Sequence, residues 1–278
     1  MYSIKVLSEN GMTRYVSHGE RETCLFVTGA YEEGDRIVLE YEGDPVYVWF
    51  QADEAMGASL IYLTGNYELK IPFSEGRKAY SPKAFSGDRH YLFVREALKE
   101  EIWSRRNQAI NVCDHHDNKT AYPHASANVE TRNESVFAAR NAIDGIKANE
   151  SHGEWPYSSW GINRDPDAKI KIEFGTAVLA DEIVIYLRAD FPHDSYFTEA
   201  TLEFSDKSTI CLRFEKTGEA QSFKFEPRET SYILIKDLKK ADDPSPFPAI
   251  TQIELYGVRK QERSIAKAPD PHSGKGKE

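Results

Sequence analysis

The sequence predicts an all-β protein with two β-sandwich or jelly-roll domains joined by a short helix. Short runs of alternating apolar and polar residues fill the chain up to about residue 95, and similar runs return after residue 169. Aromatic residues make up 12% of the chain, which favours β structure because large flat side chains pack well there. Strands that follow one another without alternating helices exclude a doubly wound parallel sheet.

The first domain is predicted over residues 1–110. Turn-forming clusters such as "YEEGD" and "TGN" separate its strands at the regular spacing typical of a sandwich. The segment "REALKEEIWSRRNQAI" (95–110) changes to a helical period and predicts a connecting helix. The predicted strands are 36–41, 46–50, 59–63, 67–71 and 90–94.

The second domain is predicted over residues 111–259 as another sandwich. "ESVFAARNAIDG" (134–145) has a helix-like pattern that ends at Gly145, a usual stop signal. The tail, 260–278, is polar and rich in Lys, Pro and Gly, which predicts disorder. Seven strands are predicted at 169–174, 182–188, 200–205, 208–214, 221–226, 231–238 and 250–258.

The bulk composition limits the partners and the compartment. A formal charge of −10 argues against nucleic acid, whose phosphates require a basic surface. Neither a signal-peptide core nor a run of about 20 apolar residues occurs, so no membrane span is expected. Three dispersed cysteines show neither metal spacing nor a disulfide framework. The chain therefore reads as cytoplasmic, or as secreted if a leader has been removed.

Three histidines lie in the polar segment that begins the second domain. His115, His116 and His124 lack cysteine or acidic partners at ligand spacing, so we predict a solvated loop rather than a metal site. In the first domain, Asp53 and Glu54 follow a strand and could form a second binding rim. As sequence neighbours they point apart in a strand, which makes them poor candidates for a glycosidase pair.

Five motifs in the second half resemble the discoidin, or coagulation factor type C, domains and the galactose-binding-like carbohydrate-binding modules. They occur in the family's order over roughly residues 120–258. The resemblance implies an eight-stranded jelly roll without catalysis of its own, whose loops at one end bind a ligand, most often a sugar. The motifs are "ASANVETRN", "ARNAIDG", the tryptophan-containing "GEWPYSSWG", "AKIKIEFGTAVLADEIVIYLR" and "ITQIELYG".

Many members of this family carry a structural calcium near the Asp-Gly turn, and the resemblance places it at Asp144 and Glu254. The family's acidic residue two positions after the aspartate is here Ile146, which cannot coordinate. Because calcium favours six to eight oxygen ligands, the loss of a carboxylate weakens the expectation. Asp144 could instead cap its own turn. The cofactor prediction is therefore none, with structural calcium as the open alternative.

The candidate sugar site lies in two loops of the second domain. Sugars present hydroxyl groups and a C–H face, so a site needs planar polar groups beside an aromatic ring. Arg188 follows a strand that must end before Pro192, and Asp190 could hold its guanidinium. The predicted carbohydrate-binding residues are Trp155, Tyr157, Arg188, Asp190, His193, Asp194 and Tyr196.

Each of these residues also has a structural interpretation. Trp160, in the same loop as Trp155, is expected in the core, since buried aromatic residues dominate jelly-roll packing. Arg188 and Asp190 could be only an ion pair that locks the loop. The His, Asp and Ser of "HDSYF" are too close in sequence to form a nucleophile triad.

We therefore predict a non-catalytic protein that binds oligo- or polysaccharide through the loops of its second domain. One alternative is a polysaccharide-active enzyme, a lyase, isomerase or esterase, with a site between the domains. It predicts a shared cleft containing a histidine with a shifted pKa. A second alternative is a protein-interaction module.

Overall fold

A computed structural model describes residues 1–189 and 195–259 of the chain. Their buried apolar side chains form two separate clusters, one built from residues 2–121 and the other from residues 109–255. Antiparallel β-sheets enclose both clusters. The predicted all-β architecture is confirmed.

Two sheets form the N-terminal domain. Their strands are β1 (Tyr2–Leu7), β2 (Thr13–Gly19), β3 (Glu22–Thr28), β4 (Arg36–Tyr41), β5 (Val46–Gln51), β6 (Ser59–Leu63), β7 (Tyr67–Lys70), β8 (Arg89–Glu96) and β10 (Ala121–Tyr122). One sheet has the strand order β2-β1-β4-β7 and the other β10-β6-β5-β8-β3, and a 3-10 helix covers Ser74–Ala79.

The five strands predicted for this domain are present within a residue or two of their predicted bounds. The structure adds β1, β2 and β3 at the N-terminus. In β1 the alternation of Tyr2, Ile4 and Val6 places all three side chains in the core, each 1% exposed or less.

The C-terminal domain is one continuous eight-stranded system. Its strands are β9 (Arg106–Asn107), β11 (His124–Ala127), β12 (Trp160–Gly161), β13 (Ile170–Leu187), β14 (Phe197–Phe204), β15 (Thr209–Arg213), β16 (Gln221–Lys240) and β17 (Ala249–Arg259). The main order is β12-β17-β13-β16-β14-β15, while β9 pairs with β17 and β11 pairs with β13.

Two strands are much longer than predicted. β13 contains both predicted strands 169–174 and 182–188, and β16 contains both 221–226 and 231–238. Register shifts after Glu173 and Ala180 bend the pair, so that each long strand contributes to two parts of the jelly roll. Gly175 (φ +71°) lies in the bend of β13, where a Cβ would meet the ring of Tyr122 at 2.7 Å.

The predicted helix over 95–110 is corrected to one short helix, α1 (Lys99–Trp103). Residues 95 and 96 still belong to β8, and Arg106–Asn107 forms β9, because backbone pairing with neighbouring strands outweighs the local helical pattern. The pattern over 134–145 is likewise not an α-helix but two 3-10 helices, Ser135–Phe137 and Ala139–Ile143.

The polar segment that contains His115, His116 and His124 is not the solvated loop that its polarity predicts. Asn111, Asp114 and Asn118 are 3% exposed or less. The Asp114 carboxylate accepts hydrogen bonds from Asn118 Nδ2 (2.7 Å) and from the Ala125 amide (2.8 Å), and it lies 2.8 Å from His124 Nδ1. Polar residues are buried here because they satisfy one another.

None of the helices in the described ranges is long and apolar enough to cross a membrane.

Candidate functional site

A cavity of about 150 Å³ lies at one end of the C-terminal jelly roll. Its walls are the turn around Thr131, the residues that follow β12, the end of β13 and the segment that leads into β17. It lies among loops carried by a rigid sheet, which is where binding residues are often found.

Strained backbone borders this cavity on two sides. Arg132, Asn133, Asn163 and Arg164 all have φ between 48° and 63°, a region that residues other than glycine rarely occupy. The Asn163 amide donates to Thr131 Oγ1 at 3.0 Å, which ties the two strained turns together. Such strain persists where surrounding structure imposes it, and it is frequent at binding sites.

Arg188 lies at the inner wall of the cavity, directly after β13, and is 4% exposed. Its amide donates to the Ala249 carbonyl at 3.2 Å, and its guanidinium donates from Nη2 to the Phe247 carbonyl at 3.3 Å. The two contacts hold the end of β13 against the first residue of β17 and against the segment before it. The Arg188 side chain is therefore a buried polar group of fixed orientation in the cavity lining, not an exposed cation on the surface.

Phe247 forms the outer rim of the same cavity. Its ring is 40% exposed, although large apolar side chains are usually buried. The Arg164 guanidinium lies 4.5 Å from the ring centroid, within the range of a cation–π contact. His152, which is exposed, also lines the cavity. An exposed aromatic face therefore stands beside several nitrogen donors.

Trp155 does not line this cavity. It lines a separate one of about 90 Å³ that includes Met56 and Tyr80 of the N-terminal domain. The Trp155 amide donates to the Lys78 carbonyl at 2.8 Å, which anchors its loop to that domain. The structure therefore separates two residues, Trp155 and Arg188, that the sequence analysis placed in one site.

Two other predicted residues are half-buried. The Tyr157 amide donates to the Glu154 carbonyl at 3.2 Å, and Tyr196 packs against the C-terminal core. The predicted ligands Asp190, His193 and Asp194 lie outside the described residues. Trp160, by contrast, is fully buried and donates from Nε1 to the Val129 carbonyl at 3.0 Å, as expected of a core residue.

The two carboxylates considered for calcium each have a cation nearby. Glu254 Oε1 lies 2.7 Å from Lys147 Nζ, and Glu254 Oε2 accepts a hydrogen bond from the Tyr256 hydroxyl at 3.1 Å. Asp144 Oδ2 lies 3.9 Å from Arg140 Nη1, while Asp144 Oδ1 accepts from the Ile146 amide at 2.8 Å. Burial raises the pKa of Asp144 to about 7. This donor set does not fit a doubly charged ion that needs several free carboxylate oxygens.

Within the described ranges, His115, His116 and His124 belong to no cluster of three or more metal-ligating side chains. The His116 Nε2 atom lies 2.7 Å from Glu130 Oε2, and that contact raises the pKa of His116. Burial lowers the pKa of His115, whose Nε2 has no hydrogen-bond partner.

Sequence reasoning missed His152, Arg164 and Phe247 as cavity residues. A signal for Phe247 is present in "SPFPAI", where Pro246 and Pro248 restrict the backbone on both sides of an aromatic residue. The "GINRD" turn offers no comparable signal, because a left-handed Asn-Arg pair is unusual.

Comparison with solved structures found carbohydrate-binding modules. A family 32 module of C. perfringens NanJ, in complex with galactose, is 20% identical (TM-score 0.37), and the match covers 48% of this chain and 91% of that one. A Streptococcus pneumoniae fucose-binding module is 15% identical (TM-score 0.39; 58% and 99% covered). A chitosan-binding module from the chitosanase/glucanase of Paenibacillus sp. IK-5 is 17% identical (TM-score 0.37; 55% and 99%).

No family model and no curated protein matches the chain. The identities and TM-scores of the solved structures are low, so the ligand of this chain has to be inferred from its own residues.

Proposed function

We propose that the protein is a non-catalytic carbohydrate-binding protein whose site is the cavity between Arg188 and Phe247. The observation that carries the proposal is the exposed Phe247 ring beside two arginines, one buried and one on the surface. An aromatic face packs against the C–H side of a sugar ring, while planar guanidinium groups donate to its hydroxyl oxygens. A specific small-molecule site typically has a small number of polar groups at fixed positions in a mostly apolar cavity.

The size of the cavity supports one sugar ring rather than a long chain. Its volume of about 150 Å³ is below the roughly 300–1,000 Å³ of sites that enclose drug-sized ligands. The ligand is therefore the end of a glycan, with the remainder of the chain outside. Asp190, His193 and Asp194 stay predictions from the sequence alone, because they lie outside the described residues.

The test is a glycan array read with the wild type, Phe247→Ala, Arg164→Ala and His193→Ala. Phe247 and Arg164 are exposed, so their replacement leaves the core intact. Phe26→Ala removes another aromatic residue, 55% exposed, from β3 of the N-terminal domain and serves as the matched control. We expect at least a tenfold loss of a defined glycan signal for Phe247→Ala and none for Phe26→Ala.

An array signal that survives both Phe247→Ala and Arg164→Ala would move the binding site elsewhere. The absence of any glycan signal from a folded wild type would favour the protein-interaction module.

A second candidate function is a glycan-active enzyme with its site between the domains. A cavity of about 470 Å³ lies between β7 and the segments 115–120 and 135–140. It contains His115, whose pKa burial lowers, and His116, whose pKa the contact with Glu130 raises. Histidines with separated pKa values can act as base and acid in one reaction. This function would be supported by turnover in a glycan screen that is lost in His115→Ala and kept in the control His18→Ala.

A further inference from the structure

A second cluster of chemically competent side chains lies in the N-terminal domain. Asp53 and Glu54 follow β5, and His90 is the second residue of β8. One donor atom of each, a carboxylate oxygen or an imidazole nitrogen, lies within 4.8 Å of the other two. The two acidic residues are sequence neighbours, yet both reach the same imidazole because the chain has left the strand at this point.

Backbone amides hold both carboxylates in place. Asp53 is fully buried, and its two oxygens accept from the Ala55 and Phe85 amides, both at 2.9 Å. Glu54 Oε2 accepts from the Tyr91 amide at 2.9 Å. Hydrogen bonds of this kind fix the direction of a ligand's remaining lone pairs. Neither carboxylate has a lysine or arginine at ion-pair distance in the part of the chain that the structure describes.

The independent indication of a ligand comes from His90. Its side chain is 1% exposed, and neither ring nitrogen has a hydrogen-bond partner. The ring stacks on Tyr31 with centroids 4.1 Å apart, so its orientation is set by packing. The Nδ1 atom lies 3.4 Å from Asp53 Oδ2 without forming a hydrogen bond. A buried imidazole that lacks a partner beside two carboxylates is costly unless a further group satisfies it.

The geometry points to a divalent metal site at Asp53, Glu54 and His90, of the kind that binds zinc. A tetrahedral ion with bonds of about 2.1 Å holds its ligands about 3.4 Å apart, which equals the separation of His90 Nδ1 and Asp53 Oδ2. Imidazole as a ligand favours zinc over calcium or magnesium, which prefer oxygen alone. Glu54 is exposed whereas Asp53 and His90 are buried, so a bound ion would face solvent only on the Glu54 side.

The site is tested by titrating the metal-free 278-residue chain with zinc chloride in a calorimeter. Glu54→Gln keeps the size of an exposed side chain and leaves the fold intact. Asp88→Asn, an exposed acidic residue two positions before His90 and outside the cluster, is the matched control. We expect one zinc ion per wild-type chain, at least a tenfold weaker affinity for Glu54→Gln and an unchanged affinity for Asp88→Asn.

His90→Gln removes the imidazole, but the side chain is buried and the variant could fail to fold. The ¹⁵N chemical shifts of the wild-type histidines provide a separate measure, because zinc should shift the signals of the His90 ring. The proposal is overturned if the wild type binds no zinc, or if Glu54→Gln and Asp88→Asn bind it equally well. Zinc that shifts only the exposed His116 would also overturn it.

Discussion

The two domains gather opposite charges at their candidate sites. At the C-terminal cavity, Arg132, Arg164 and Arg188 line the walls together with one exposed phenylalanine. In the N-terminal cluster, two carboxylates face one imidazole, and their hydrogen-bond donors are backbone amides. The first arrangement offers donors to oxygen atoms, and the second offers lone pairs to a cation.

The difference teaches that local charge, rather than the net charge of −10, determines which ligand each domain can hold. Arg132 forms a bidentate ion pair with Glu134, so part of the positive charge at the C-terminal rim is already neutralised. The cavity therefore suits a ligand rich in hydroxyl groups better than a strongly anionic one. The carboxylates of buried Asp53 and exposed Glu54, which have no lysine or arginine partner within the described residues, by contrast favour a metal ion.

The largest expected effect is a loss of stability that is confined to the core of the C-terminal domain. Replacing Trp160, fully buried in the C-terminal core, by Ala should lower the free energy of unfolding of that domain by about 3–5 kcal/mol. Glycan binding should be lost, while the zinc affinity of the N-terminal domain stays unchanged. Denaturant unfolding followed by circular dichroism measures the first effect. Trp103→Ala, a more exposed tryptophan on α1, is the control, and equal losses in both variants would contradict the prediction.

The next effect concerns pH and the C-terminal core. The pKa of Asp144 is raised from 3.8 to about 7 in the folded protein, chiefly by burial. The folded state therefore binds the proton more tightly, so this stabilisation is complete below pH 4 and is lost as the pH rises through 7. The loss should be on the order of 4 kcal/mol and absent in Asp144→Asn. Urea unfolding between pH 4 and 8 tests this prediction. It would be contradicted if the free energy of unfolding of Asp144→Asn depended on pH as steeply as that of the wild type.

A smaller effect is expected at the ion pair between Lys147 and Glu254. The Lys147 side chain is 42% exposed, so Lys147→Met should lower the free energy of unfolding by about 1 kcal/mol or less. Differential scanning calorimetry of the variant and the wild type measures this difference.

The carboxylates of Asp144 and Glu254 do not fit calcium, so EDTA should leave the melting temperature of the C-terminal domain unchanged. Differential scanning calorimetry with calcium and with EDTA makes the comparison, and a calcium-dependent transition would reverse this interpretation.

The smallest effect expected is on the coupling between the two sites. If the glycan cavity and the metal cluster are independent, saturating zinc should change the glycan affinity by less than about twofold. Titration of a glycan identified on the array, with and without zinc, makes the comparison. A larger change would mean that one domain transmits the state of its site to the other.

Much of the fold could be predicted because strand signals are local. "RIVLEY" and "SLIYL" are short, mostly apolar runs between turn-forming residues, and the structure has strands at those residues. The sequence predicts the halves of β13 and β16 as separate strands, and Gly175 and Pro227 lie between the predicted halves. Only the pairing of these strands with each other reveals that each continues through its bend.

The candidate site was less predictable because it depends on which loops face the same end of the domain. Arg188 could be identified as the polar end of a buried strand, and it lines the cavity. Trp155 lies in a neighbouring loop of the sequence, but a backbone contact with Lys78, 77 positions away, turns its loop to the other domain. Local sequence contains no information about such a contact. The binding roles of the predicted residues stay predictions.

The short strands β9 and β10 restrict how the protein can be divided. β9 precedes the predicted boundary at residues 110 and 111 yet pairs with β17, whereas β10 follows the boundary and pairs with β6. Each domain therefore takes one short edge strand from the other side of the boundary. A cut at the boundary would remove β9 from the C-terminal domain and β10 from the N-terminal domain. Overlapping fragments, one extending to residue 122 and the other beginning before residue 106, would each keep their own border intact. Any rearrangement that shuffles one half into a different protein has to carry this shared stretch along.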